Sequence, residues 1–234
     1  ARDLKRSPRE IAKVVIDHLA DPEGLIDRCE VAGPGFINFF LKEDYWVRVL
    51  KDIEAKGDAY GKSALGKGSR VIVEFVSANP TGPLHIGHGR GAVVGDALCR
   101  ILNASGYEVS REFYINDAGR QLRDLGRSIW LRYRQLFDGA VPFPSEGVYP
   151  GEYVVDIARQ VRDRDRDLYL SMAEEESIPA LSDFGCSIIL SDIRSDLERM
   201  GVRFDLFFSE KSLYEKGNVQ TCISELREKN LVFE

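Results

Sequence analysis

Residues 70–136 change their hydrophobic rhythm in an order that few folds accommodate. Arg70 to Ser77 is β-branched and apolar, the composition of a buried strand. A loop from Ala78 to Leu84 follows, carrying two prolines and a glycine. Val93, Val94, Ala97, Leu98, Ile101 and Leu102 then recur at helical spacing, and Gly106 supplies a stop signal. Tyr107 to Ile115 returns to strand composition, and Leu122, Leu125, Ile129, Tyr133 and Leu136 mark a second helix. A strand–helix–strand unit of this length implies a parallel sheet with a right-handed crossover, the α/β class.

With 234 residues, 44% hydrophobic and 30% charged, the chain suits one large domain or two modest ones. That composition excludes a disordered tail, a collagen-like fibre and a small disulfide scaffold. No apolar run approaches the roughly 18–20 residues that cross a bilayer. The opening ARDLKRSPRE has no apolar segment of a signal peptide. It also lacks an initiator Met, so the expectation is a piece cut from a longer chain. Cys29, Cys99, Cys186 and Cys222 are scattered, with no C-x-x-C pair and no His placed to complete a zinc site. No metal site is expected, and a reduced, cytoplasmic setting is. The balance of 32 Lys+Arg against 38 Asp+Glu, a net charge of −6, argues against a bulk nucleic-acid coat and leaves a local basic patch open.

Ahead of the parallel unit, Ser7, Pro8 and Glu10 spell a helix start, and Ile11, Val14, Val15, His18 and Leu19 form one apolar stripe over residues 7–20. His18 on that stripe reads as a packed or boundary residue. Apolar runs around Gly33-Pro34-Gly35 suggest a short β pair with its aromatics in the core, and Trp46, Val49, Leu50 and Ile53 mark a further helix. Residues 1–56 thus form a small α/β module, and 57–69 a solvated linker. Gly57 to Ser63 mimics a phosphate-binding loop, but has three residues between its glycines instead of four and lies between a helix and a strand in reversed order. Residues 70–137 carry the parallel unit. Residues 138–234 continue it with a Pro/Gly-rich loop to Gly151, helices near 152–171 and 178–200, a strand Phe204–Ser209 and a helix near 218–229. The alternating run Arg162 to Asp167 reads as a solvated helix face, and Leu231 to Glu234 as the opening of another strand.

The segment Glu74 to His88 carries the chemistry. His85 and His88 flank Gly87 where a loop after a strand hands over to a helix. Amides and dipole at a helix N-terminus favour phosphate, a glycine admits close approach, and imidazoles add donors toward charge developing on phosphorus. A metal pair or two structural histidines are the bland alternatives; no Cys or H-E-x-x-H arrangement supports the first.

Residues Val73 to Gln121 resemble class I aminoacyl-tRNA synthetases and, within them, arginyl-tRNA synthetases of the bacterial type. The phrases that carry the resemblance are VEFVSANPTGPLHIGHGRGAVVGDAL, with His85-Ile86-Gly87-His88 as the class signature, and REFYINDAGRQ. VAGPGFINFFL, YPGEYVVDIA and GVRFDLFFSEKSLYEKG resemble flanking segments of that family. The resemblance implies the first half of a Rossmann-like nucleotide-binding fold with a connective insertion, preceded by the end of an added tRNA-binding domain. It implies that His85 and His88 are catalytic and contact ATP phosphates, with Gly87 and Gly89 also at the nucleotide. It places Glu74, Ser77 and Asn79 in an arginine pocket, joined by Asn116, Asp117 and Gln121. A turn and helix N-cap is an equal alternative for Asn116 and Asp117.

The implied reaction joins L-arginine to ATP, brought as its Mg2+ complex, and passes arginine to tRNA(Arg). The family generally needs tRNA even for the first step. No tightly bound cofactor, no membrane partner and a monomeric intact enzyme are expected. The class also carries a Lys-Met-Ser-Lys-Ser-like loop. Glu210-Lys211-Ser212 and Gly61-Lys62-Ser63 lie in the wrong places for it, and the helical anticodon-binding domain is not among these residues. A polypeptide of these residues alone is therefore expected to be inactive. Two competitors are an H-x-G-H nucleotidyltransferase, which would lack the SANPTG and NDAG phrases, and a non-catalytic binding module.

Overall fold

The computed structural model describes residues 4–232, which fall into two compact units dividing between Lys62 and Ser63. In the first, α1 (Pro8–Asp17) begins as its sequence dictates. Ser7 is the N-cap, its hydroxyl accepting from the Glu10 amide (3.3 Å) while the Glu10 carboxylate accepts from the Ser7 amide (2.8 Å). Those Ser7 donors hold the Glu10 carboxyl below its ordinary pKa. The helix stops at Asp17, where His18 takes the C-cap with its ring Nδ1 2.8 Å from the Val14 carbonyl. His18 is exposed, so the packed reading is corrected.

Strands β1 (Ile26–Ala32) and β2 (Phe36–Leu41) pair antiparallel around the expected turn, followed by α2 (Glu43–Lys56). At the turn, a Cβ on Gly35 would stand 2.7 Å from Pro8 Cβ. Here the elements are right and the expected core is not. Phe36, Phe39, Trp46 and Leu50 are exposed, and Ala12 is the buried apolar residue among those described in this unit. Phe40 is covered by the Arg28 guanidinium, 3.8 Å above its ring.

The second unit opens on residues that the sequence reads as linker. The amides of Ser63, Gly66 and Gly68 donate to the carbonyls of Ala104, Ser105 and Gly106 at 2.8–2.9 Å. Residues 63–68 are thereby tied to the turn at Gly106, while all of them but Gly66 stay exposed. Strand β3 (Arg70–Glu74), helix α3 (Ile86–Ala104) and strand β4 (Glu108–Ile115) form the expected parallel unit. Helices α4 (Arg120–Gln135), α5 (Glu152–Asp165) and α6 (Glu174–Arg199) intervene before β5 (Leu206–Ser209) adds in parallel beside β4. The order β3-β4-β5 leaves β3 at an edge, with Ile72 69% exposed, so its reading as a buried strand is corrected.

The buried face of α3 also differs from the apolar one. Val93, Val94, Leu98 and Ile101 are exposed, while Ala92, Gly95, Asp96 and Cys99 are buried. The cause is tertiary. The Phe75 ring occupies the space a Cβ on Gly95 would need, and Asp96 is drawn inward to Arg100 (2.6 Å) and Arg111 (3.7 Å). The main core lies between α4, α5 and α6, where Leu125, Ile129, Tyr133, Val154, Val161 and Leu181 are inaccessible. There α4 approaches α6 closely, because Gly126 faces the Ile178 carbonyl and Ser182.

Helix α6 starts four residues earlier than expected, ahead of Pro179. Glu174, Glu175 and Glu176 favour the helix N-terminus, and Ser177 Oγ donates to the Ala173 carbonyl at 2.9 Å. The alternating run is only partly solvated. The Arg164 guanidinium lies 4.0 Å over the Phe184 ring, and the Tyr133 phenol donates to the Arg166 carbonyl at 2.6 Å. A short helix α7 (Lys211–Glu215), not foreseen, precedes α8 (Asn218–Glu228). Leu231 and Val232 are not in a strand, and Phe233 and Glu234, where that expectation continued, lie outside the described residues.

Candidate active site

At the end of β3 the chain turns through two consecutive left-handed residues, Val76 (φ +66°) and Ser77 (φ +41°). For a β-branched residue this conformation is an outlier costing about 1–2 kcal/mol. The surroundings impose it. The Phe75 amide still pairs with the Glu112 carbonyl (3.2 Å), and the Ser77 hydroxyl donates to Glu74 Oε1 (2.8 Å) while accepting from the Tyr114 amide (3.1 Å). Ser77 thus ties Glu74 to the next strand, at the carboxyl ends where parallel sheets receive ligands.

The loop beyond is anchored by buried Ala78 and Pro80. Asn79 Nδ2 donates to Gln121 Oε1 at 2.7 Å. Asn116, with its amide turned so that Nδ2 donates to Glu210 Oε2 (2.9 Å) and the Ala118 carbonyl (3.3 Å), lies 3.2 Å from the Asn79 side chain. Asn79, Asn116 and Gln121 therefore converge with Glu210, a residue sequence reasoning passed over. Its signal was position: it directly follows a parallel strand, as Asn116 does. Burial, then the Glu210 carboxylate, raises the pKa of Tyr114 beside it.

Asp117 behaves differently. Its oxygens accept from Ser209 Oγ (2.6 Å) and the Lys211 amide (2.8 Å), fixing the β5–α7 junction on either side of Glu210. The N-cap of α4 is Gly119, not Asp117. A cavity of about 420 Å³ opens beside Asp117, floored by Leu122, Ile178 and Pro179 and rimmed by the ion pairs Arg123–Glu175 (2.9 Å) and Lys211–Asp183 (3.1 Å). Neither histidine of the pair lines it.

His85 is the N-cap of α3 and His88 is the third residue of its first turn. His85 Nδ1 accepts from the Gly87 amide (3.1 Å), and His88 Nδ1 accepts from the His85 amide (3.3 Å). The rings stack with centroids 3.7 Å apart. This reciprocal cap has imidazoles in the places of serine and glutamate. An Nδ1 that accepts carries no proton, which leaves Nε2 as the donor of a neutral ring. Burial, then the neighbouring His85, lowers the pKa of His88 and favours that form.

The amides of His88 and Gly89 both donate to the His85 carbonyl (2.9 and 3.1 Å). Together with the Gly87 amide, the His88 and Gly89 amides are engaged within the helix start. Gly87 is required sterically, since a Cβ there would lie 2.9 Å from His85 Cε1. At Gly89 an added Cβ would only touch Met200 at 3.7 Å. Among the described residues no group of three His, Cys, Asp or Glu side chains could hold a metal ion, and no helix is long and apolar enough to cross a membrane.

The parallel strand–helix–strand unit with its helix-capping histidine pair is similar to the Rossmann-like catalytic domain of the class I aminoacyl-tRNA synthetases. The family model "tRNA synthetases class I (R), catalytic domain" matches residues 50–136, and "Arginyl tRNA synthetase N terminal domain" matches residues 1–41. Curated arginine–tRNA ligases of Geobacter sp. (strain M21) and Magnetococcus marinus are 48% and 47% identical over all of this chain. The solved arginyl-tRNA synthetase of Thermus thermophilus superposes with a TM-score of 0.60 at 28% identity, over 97% of this chain and 37% of that one. Over its whole length the chain is similar to arginyl-tRNA synthetases. It spans 42% and 41% of the two curated relatives' lengths.

Proposed function

We propose that the whole protein is an arginine–tRNA ligase, which joins L-arginine to ATP as arginyl-adenylate and then transfers arginine to tRNA(Arg) in translation. The observation that carries this reading is the histidine pair, whose Nδ1 atoms are spent on the helix cap so that Nε2–H remains as a donor. In the first step the arginine carboxylate attacks the α-phosphorus and pyrophosphate leaves. Neutral donors held by the backbone stabilise the charge that develops there without reorganising. His85 and His88 take this role, and Gly87 and Gly89 leave the first turn uncrowded for the nucleotide.

Arginine brings a guanidinium and an ammonium, both donors only, and needs acceptors around it. Glu74 with Ser77, Asn79 with Gln121, and Asn116 with Glu210 supply them. Asp117 is a positioning residue that holds the Glu210 segment. In the second step a ribose hydroxyl at the tRNA 3′ end attacks the adenylate carbonyl and AMP leaves. Magnesium arrives with ATP as part of the substrate. A monomer working in the cytoplasm completes the proposal, and sedimentation of the whole protein tests its oligomeric part.

The function itself is tested by charging a set of tRNA transcripts with each of several amino acids. Arginine on tRNA(Arg) is the expected product. Equal charging with lysine, or none of tRNA(Arg), overturns the reading.

A further inference from the structure

The loop from Asn79 to His85 joins the two halves of the candidate site, and one side chain from the helical layer holds its middle. Tyr153, in the first turn of α5, donates its phenol to the Thr81 carbonyl at 2.7 Å, across 72 residues of sequence. Among the described residues no other side chain hydrogen-bonds to the backbone of residues 80–84. Glycines make room for the ring on both sides. A Cβ on Gly151 would lie 2.6 Å from the ring Cδ1, and one on Gly82 would lie 3.3 Å from the phenol oxygen and 3.5 Å from Cζ. The ring cannot follow the loop if the loop moves, because Val154, Ile157, Ala158 and Val161 anchor α5 in the core. Burial pushes the Tyr153 pKa up to about 12, which keeps the phenol a donor across the neutral range.

We propose that Tyr153 is a positioning residue for arginine activation, its bond to Thr81 setting the spacing between Asn79 on the arginine side and His85 on the nucleotide side. This rests on the function proposed above. Leaving a carbonyl unpaired and the loop unbraced weakens alignment of the reacting groups, where small displacements are expensive.

The test uses the whole protein with Y153F, G82A and the double variant. Arginine-dependent ATP–pyrophosphate exchange per titrated active site should fall about tenfold in Y153F, the effect of one lost hydrogen bond. The loss should appear in kcat, with the KM for arginine within about twofold, since Gln121 still holds Asn79. G82A crowds the phenol oxygen and should be costly alone. In the Y153F background the nearest ring atom is at ordinary contact distance, so G82A should cost little more, a non-additive cycle. Hydrogen exchange across residues 78–88 should quicken in Y153F.

Unchanged exchange activity in Y153F, additive costs, or unaltered hydrogen exchange would each overturn the inference. If the unsubstituted protein shows no arginine-dependent activity, the functional reading fails instead. The hydrogen-exchange comparison then still decides whether Tyr153 braces the loop.

Discussion

His85 does two jobs that one substitution can separate. Its Nδ1 caps α3 through the Gly87 amide at 3.1 Å, while its Nε2–H is the proposed donor to phosphate. His85→Ala removes both. The lost cap is worth about 0.5–2 kcal/mol, which for a unit of this size lowers Tm by about 2–4 °C per kcal/mol. His85→Asn keeps an acceptor at the N-cap, where Asn is among the best residues, and removes only the outward donor. Asn should therefore leave Tm near the parent value while both variants lose about 10²–10³ in exchange rate, the usual cost of a transition-state donor. Paired thermal melts and arginine-dependent exchange on the whole protein measure this. If H85N keeps full activity, the ring is only a cap and the catalytic reading is wrong. If H85N melts as low as H85A, the capping geometry is wrong.

Other consequences are sharp enough to check. Glu210→Gln removes the charge beside Asn116 and should raise the KM for arginine about 10–100-fold with little change for ATP, as expected for a charge-assisted contact, by steady-state exchange kinetics. Gly126→Ala should destabilise by about 1–3 kcal/mol in denaturant melts, because its Cβ would lie 2.7 Å from the Ile178 carbonyl oxygen at the α4–α6 crossing; an unchanged midpoint would contradict that approach. His88 has a folded-state pKa below its ordinary value of about 6.5, so its contribution to stability is present above that pH and lost as pH falls through the lower folded value. Protonating Nδ1 also breaks the cap on His85, so activation should decline over the same acidic range. His88→Gln should remove that component from a stability-versus-pH series.

Local rules carried much of the fold. Ser7 and Glu10 wrote their capping box plainly, and the strand–helix–strand rhythm gave the parallel pair of β3 and β4. The histidine pair was legible too, because two rings at that spacing can reach each other's end of one helical turn. Burial was less legible, since it is decided by partners distant in sequence. The apolar side of α3 faces outward because the Phe75 ring needs Gly95, and Asp96 is pulled in by Arg111 from another strand. Residues 63–68 looked like linker because backbone bonds to the turn at Gly106 leave no mark on composition. Glu210 was missed for a related reason. Its neighbours Tyr114 and Asn116 come from β4 and the loop after it, and only the pairing of β4 with β5 assembles them.

The most direct test is arginine-dependent ATP–pyrophosphate exchange by the whole protein with tRNA(Arg) present, run beside citrulline, which keeps the shape of arginine without its charge. Robust exchange with arginine and almost none with citrulline is the predicted result. Exchange that is absent, or equal for the two amino acids, would contradict the assignment of this polar cluster and histidine pair to arginine activation.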